Sequence, residues 1–247
     1  MSDRHRRAIV YQAWGQKYIA EAVRSATTAA IVRADRLLIT NAESRRFLPP
    51  DPPFERVIEH SFKLPGMLAK CEWVTLLPPE YDSFAYLDTD TFILDDIDQA
   101  FEKAELHGIA VAPAAAYSLD HFFGFDQVLA RLGVRSRDIL MYNAGVIFFT
   151  RYPAAWRVLT KYHELCHAVQ GGDPPWGDQP YLTLAMELFS FNPYTLSIAY
   201  NYRSFGELAN GRIRIWHSHE PPPADVNRFG GNWPFRRFLN GQRLPSP

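Results

Sequence analysis

The run Phe84-Ala85-Tyr86-Leu87-Asp88-Thr89-Asp90-Thr91 decides how the rest of the chain is read. A buried strand is expected over residues 83–87, and two carboxylates follow it directly, where the chain leaves the sheet. In an open α/β sheet the carboxyl ends of the strands form the ligand crevice. Side chains two apart on extended backbone face the same way, so Asp88 and Asp90 are able to converge on one point. Unaccompanied, they would repel. A hard divalent cation, Mg²⁺ or Mn²⁺, between them removes that conflict, and such an ion commonly bridges the phosphate oxygens of a nucleotide. A bare Asp-x-Asp also fits a helix cap or a turn; its place at a strand end favours the cation.

Outward from this run, apolar β-rich stretches alternate with helical periodicity, the pattern of an α/β architecture. Strands are expected over 8–11, 36–40, 57–58, 109–112, 145–149 and 212–216. Helices are expected from Gly15 to about residue 30, from Pro65 to the stop at Pro78-Pro79, and from the Asp95-Asp96-Asp98 cluster to Gly108. Two more are expected over 152–169 and 181–188. The 247 residues make one large domain or two small ones, and the lack of a linker-like segment favours one. Lys and Arg number 26 against 27 Asp and Glu, which excludes nucleic acid as a general partner, because counterion release needs an excess of positive charge. No apolar run reaches the roughly 18–20 residues that span a bilayer. The charged start, residues 1–7, is not followed by a signal-peptide apolar segment, so a cytoplasmic location is expected. Cys71 and Cys166 are expected to be buried free thiols.

Other segments gain meaning together. Tyr142-Asn143-Ala144-Gly145-Val146 precedes an apolar strand, and its Ala-Gly pair permits close approach of a ligand. Gly177-Asp178-Gln179-Pro180 opens a helix whose first turn would fix a carboxylate and an amide. Ile215-Trp216-His217 sets a histidine at a strand end, although a lone histidine is more often a satisfied core or surface residue. Lys63 and Lys70 flank the start of the helix before the Asp pair. The C-terminal residues Arg228, Phe229, Trp233, Phe235, Arg236, Arg237, Phe238 and Arg243 interleave cationic and aromatic groups. Packing on the core with snorkelling arginines is favoured for them; contact with an anionic acceptor or a peripheral membrane surface is the other reading.

In their order these segments resemble glycosyltransferase family 8 and its glycogenin-like relatives. Leu68-Ala69-Lys70 is similar to the family's helix lysine, Tyr86 to Thr91 to its metal motif, and Asn143-Ala144-Gly145 to its Asn-Ser/Ala-Gly segment. Asp178-Gln179 is similar to its Asp-Gln element and His217 to its late histidine. The resemblance implies an α/β protein of GT-A fold, a Rossmann-like mixed central sheet flanked by helices. It divides the chain into a nucleotide-binding half, about 1–98, and a donor-sugar and acceptor half, about 99–247. It implies a hexosyltransferase that takes a nucleotide-diphosphate sugar, UDP-glucose or UDP-galactose by default, and passes the sugar with retention to a glycan, lipid, protein or small-molecule acceptor.

Residue by residue, the resemblance implies that Asp88, Asp90 and His217 hold Mn²⁺ or Mg²⁺. Tyr11, Ala13, Tyr18, Lys70, Asp88, Thr89 and Asp90 would contact the nucleotide sugar, with Tyr18 stacking on the base. Asn143, Asp178 and Gln179 would work at the donor sugar, Asp178 either stabilising an oxocarbenium-like species or acting as a nucleophile. The family's late Lys-Pro-Trp is missing from His217-Ser218-His219-Glu220-Pro221-Pro222-Pro223, so His219 or an arginine such as Arg212 is expected to take over the phosphates. The rival readings are a haloacid-dehalogenase-like phosphohydrolase and a sugar-nucleotide-binding module without catalysis.

Overall fold

The computed structural model describes residues 6–135, 138–169, 174, 176–228 and 235–244, the side chains of 115, 116, 235 and 236 excepted. Strands β1 (Arg7–Gln12), β2 (Asp35–Thr40), β3 (Arg56–Glu59) and β4 (Ser83–Leu87) run parallel in the order β3-β2-β1-β4. The chain then makes β5 (Thr91–Ile93) outside this sheet and returns with β6 (Ile109–Ser118), β7 (Leu140–Thr150) and β8 (Tyr194–Thr195). β7 lies antiparallel between β4 and β6, and β8 closes the edge, giving one seven-stranded mixed sheet, β3-β2-β1-β4-β7-β6-β8. Helices α1 (Gln16–Thr28), α2 (Ala42–Arg45), α3 (Asp98–His107), α4 (Asp126–Arg131), α5 (Pro153–His167) and α6 (Gln179–Leu188) flank it. The last strands, β9 (Tyr202–Arg203), β10 (Phe205–Asn210), β11 (Ile215–His217), β12 (Phe235–Leu239) and β13 (Gln242–Arg243), form two small sheets, β5-β11-β9 and β10-β12-β13.

Because both faces of the central sheet are covered, its strands alternate between two apolar layers. Val10, Phe84, Tyr86 and Phe149 face a layer that includes Trp73 and Tyr162. Ile9, Tyr11, Ala85, Leu87 and Phe148 face the layer under α1 and α3, with Phe101 standing edge-on to Phe148. A third cluster of Phe92, Tyr202, Trp216 and Phe238 holds the small sheets over the carboxyl end of β4. α3 stops at Gly108, whose φ of +84° no side chain favours and whose missing Cβ leaves room for Ala155, 2.9 Å from where it would stand.

Four expectations change here. Residues Gly66–Thr75 wind as a 3-10 helix rather than an α-helix. Six of them, Leu68, Ala69, Cys71, Glu72, Trp73 and Val74, are buried, so packing around the whole segment sets its winding. The strand expected from Gly145 begins at Leu140, so the Asn143 segment lies within β7. The strand expected over 109–112 continues to Ser118. The late strand is only Ile215–His217, and it pairs with β5 instead of joining the central sheet.

In the C-terminal segment Phe238 is fully buried against Tyr202 and Trp216, Arg237 donates to the Gly206 carbonyl, and Arg243 lies over the Phe238 ring. Phe238 thus packs on the core, and Arg237 and Arg243 stay exposed beside it. Phe229, Trp233 and the side chains of Phe235 and Arg236 lie outside what is described. Both cysteines are buried free thiols. Among the described residues no helix is long and apolar enough to cross a membrane.

Candidate metal and ligand cleft

Parallel strands β1 and β4 leave their neighbours in opposite directions, β2 on one side and β7 on the other, so a crevice opens at their carboxyl ends. It is a cleft of about 500 Å³. Ala13, Tyr18, Lys70, Asp88, Thr89, Asp90, Asn143, Asp178, Gln179 and His217 all line it. Of the residues singled out from sequence, Tyr11 does not. It is the inward partner in the alternation of β1: its ring is fully buried against Phe54, and its hydroxyl accepts from Ser25. Tyr11, expected among the contacts to the nucleotide sugar, is therefore not placed at the cleft.

The Asp pair is shaped by the turn after β4. The Asp88 amide continues the ladder to the Gly145 carbonyl at 2.7 Å, and the Thr91 hydroxyl closes the turn on the Asp88 carbonyl at 2.8 Å. β11 runs antiparallel to β5 with His217 opposite Thr91, and the Ser218 amide donates to the Asp90 carbonyl. The histidine thereby arrives with Nε2 3.3 Å from Asp90 Oδ1 and 3.6 Å from Asp88 Oδ2. One ligand atom from each of Asp88, Asp90 and His217 lies within 4.8 Å of the others.

Three features fit this cluster to a divalent cation. Two hard oxygens and one imidazole nitrogen suit Mn²⁺ or Mg²⁺. The other nitrogen of His217, Nδ1, is 2.7 Å from the buried Asn201 Oδ1, an acceptor, so Nδ1 keeps its proton and Nε2 is the nitrogen left to give a lone pair to a cation. Gly145 supplies the space, since a Cβ there would stand 2.4 Å from His217 Cε1 and 2.6 Å from Asp88 Oδ2.

Next to the cluster, Lys70 bridges carboxylates. Its Nζ is 2.7 and 2.8 Å from the two Asp88 oxygens and 3.9 Å from Asp178 Oδ1. Burial works against its charge, but Asp88 and then Asp178 outweigh burial, and its pKa ends raised. For Asp90 burial pushes upward, but His217, His219 and Lys70 win and hold it well below the usual carboxylate range. Asp178 goes the other way. Only 3% exposed at the mouth of α6, it accepts a hydrogen bond from Tyr162 and faces Lys70, yet burial dominates and its pKa is raised.

Asn143 commits its oxygen to the Gly145 amide at 2.8 Å, so its donor end is what it offers the cleft. His219 lines the cleft too, pairing with the buried Glu21 at 3.0 Å and lying 3.8 Å from Asp90. Arg212, the other expected phosphate partner, pairs instead with Asp95 and does not line the cleft; Arg203 does.

Sequence reasoning missed Arg203, Asn201 and Glu21, none of which sits in a recognisable motif. It also passed over Gln12, the residue whose side chain replaces that of Tyr11 at the cleft. Gln12 is 4% exposed, its amide nitrogen donates to the Ala69 carbonyl at 2.7 Å, and its oxygen has no protein partner. Trp14, Met67, Phe122 and Trp176 supply the apolar walls, and Phe122 belongs to an aromatic group with Tyr117 and the 62%-exposed Phe123.

The fold is shared with the crystal structure of mouse xyloside xylosyltransferase 1 in its apo form. The TM-score is 0.56 at 15% identity, over 87% of this chain and 99% of that one, which establishes the GT-A architecture. No protein-family model and no curated protein sequence matches the chain.

Proposed function

We propose that this protein is a divalent-cation-dependent glycosyltransferase that moves a hexose from a nucleoside-diphosphate sugar, UDP-glucose or UDP-galactose, to an acceptor hydroxyl with retention. The observation that carries the reading is the meeting of Asp88, Asp90 and His217, drawn from two distant parts of the chain, beside Lys70 and Asp178. Asp88, Asp90 and His217 would hold Mn²⁺ or Mg²⁺, which when bound supplies positive charge to the diphosphate leaving group as the glycosidic C–O bond breaks. The base and Asp88-Thr89-Asp90 side of the cleft comes from residues 1–98, and the part spanning 99–247 supplies the donor-sugar residues Asn143, Asp178 and Gln179 and returns His217, Arg203 and His219 to the diphosphate. Tyr18, 43% exposed, offers a face to the base, and Lys70, Arg203 and His219 are the groups that meet the phosphates. Asn143 donates to the sugar. Asp178 and Gln179 stand at the start of α6, where Asp178 has little water to screen it from a developing positive charge. The aromatic group around Phe122 and Phe123 offers a stacking face to an acceptor.

The first test is calorimetric titration of UDP with Mn²⁺ present. Asp90→Ala is expected to abolish cation-dependent binding because a charged ligand is lost. His217→Ala removes one neutral ligand and is expected to weaken it less. Unchanged affinity in Asp90→Ala defeats the assignment. A donor panel separates catalysis from mere capture: tight binding of several nucleotide sugars with no hydrolysis or transfer favours a binding module instead.

A further inference from the structure

A second group of ligating side chains, none of which lines the cleft, meets where the 3-10 segment Gly66–Thr75 packs against α5. His163 and His167 are four apart on α5 and therefore share one face of the helix, with ring centroids 4.3 Å apart. Cys71 comes up beneath them from the 3-10 segment. One ligand atom from each of Cys71, His163 and His167 lies within 4.8 Å of the others. Cys71 is buried, His163 half-buried and His167 exposed, so the group has an apolar floor and an open mouth.

We propose that Cys71, His163 and His167 form a second cation site, one that takes zinc. Thiolate and two imidazoles are soft-to-borderline donors, matched to Zn²⁺ and poorly matched to the hard ions that suit the carboxylates of the cleft. Binding forms one Zn–S and two Zn–N bonds; the Cys71 thiol proton passes to solvent, and a water from the open mouth completes the tetrahedron. The second thiol, Cys166, abuts Cys71 from α5.

The site has a structural consequence. A ten-residue 3-10 winding is intrinsically weak, and this one carries Lys70. An ion at Cys71 ties it to α5, the helix that also holds Tyr162 on Asp178.

The test uses the full chain without an affinity histidine tag, stripped with chelator under reducing conditions and titrated with Co²⁺. A thiolate-to-cobalt charge-transfer band in the near ultraviolet is expected, together with the visible bands of tetrahedral cobalt, and zinc should displace both. Asp88, Asp90 and His217 contain no sulfur, so the charge-transfer band reports a site apart from the cleft, whatever becomes of the catalytic reading, and Cys71→Ser separates Cys71 from Cys166. Cys71→Ser should abolish the band. The exposed His167→Gln, which leaves the core untouched, should weaken binding about tenfold or more. The proposal is overturned if no charge-transfer band forms at saturating Co²⁺, if it survives Cys71→Ser, or if His167→Gln binds as tightly as the parent. It is equally overturned if Cys71 is found in a disulfide with Cys166 in protein isolated without reductant.

Discussion

Asp178 sits where a carboxylate is expensive, which makes its stability and its use opposed. Its raised pKa means the folded state holds the proton more firmly than the unfolded chain does. The associated stability is complete below the ordinary carboxylate range, near pH 4, and is lost as pH rises through the raised value. Asp178→Asn is therefore expected to melt above the parent at pH 7.5, with the gap closing toward pH 4, while sugar transfer is lost and UDP binding persists. Thermal melts at both pH values check this; a lower melting temperature at pH 7.5 would mark Asp178 as structural. Asp90 titrates in the opposite sense, its contribution present above the unfolded value and lost only as pH falls through its depressed pKa. At this scale the sequence was legible where chemistry is concentrated, as at Asp88-Thr89-Asp90. It failed at Tyr11 and Gln12, because adjacent residues on a strand face opposite ways and nothing local says which one meets the ligand.

Among the elements, β7 brings the tightest constraint. Gly145→Ala would push a methyl group into both His217 and Asp88, and since these atoms belong to a paired strand and a fixed turn, the cluster must open. The expected result is a loss of Mn²⁺ affinity of about 10–100-fold, by analogy with damage to the groups that orient ligands, with far-ultraviolet circular dichroism unchanged. Asn201→Ala acts from the end of the short 3-10 turn Ile198–Tyr200: it frees the Nδ1 proton of His217 and is expected to lower affinity over the same range, about 10–100-fold. Isothermal titration with Mn²⁺ decides both, and undiminished affinity in either variant would remove the proposed support. Helices with a clear apolar stripe, α1 and α5, could be read from periodicity. The 3-10 segment could not, since residues buried almost all round carry no period that separates one winding from another.

At the scale of the molecule, distant segments are pinned by a few charged side chains rather than by local pattern. Arg151, just past β7, donates to the carbonyls of Tyr81, Leu77 and Pro78 and lies over the rings of Phe84 and Trp156. Arg151→Met keeps the apolar stem but leaves those carbonyls without their donor, and is expected to cost about 2–3 kcal/mol. Urea unfolding should show a lower midpoint with the slope unchanged; a midpoint within error of the parent would mean that water replaces the guanidinium. Such long-range ties, like the insertion of β7 between β4 and β6, leave no trace in local sequence. His217 shows the same limit: taken alone it read as an ordinary core histidine, and only its place in an ordered set of segments pointed to the cleft.

The pairing of β5 with β11 sets a condition on synthesis. The two aspartates emerge from the ribosome long before the strand that bears the imidazole, and the central sheet is already complete with β8. A chain cut short between β8 and β11 would thus possess the whole seven-stranded scaffold and two acidic groups without the imidazole, so the three-residue cluster proposed to hold a cation would be completed only by the final stretch of translation.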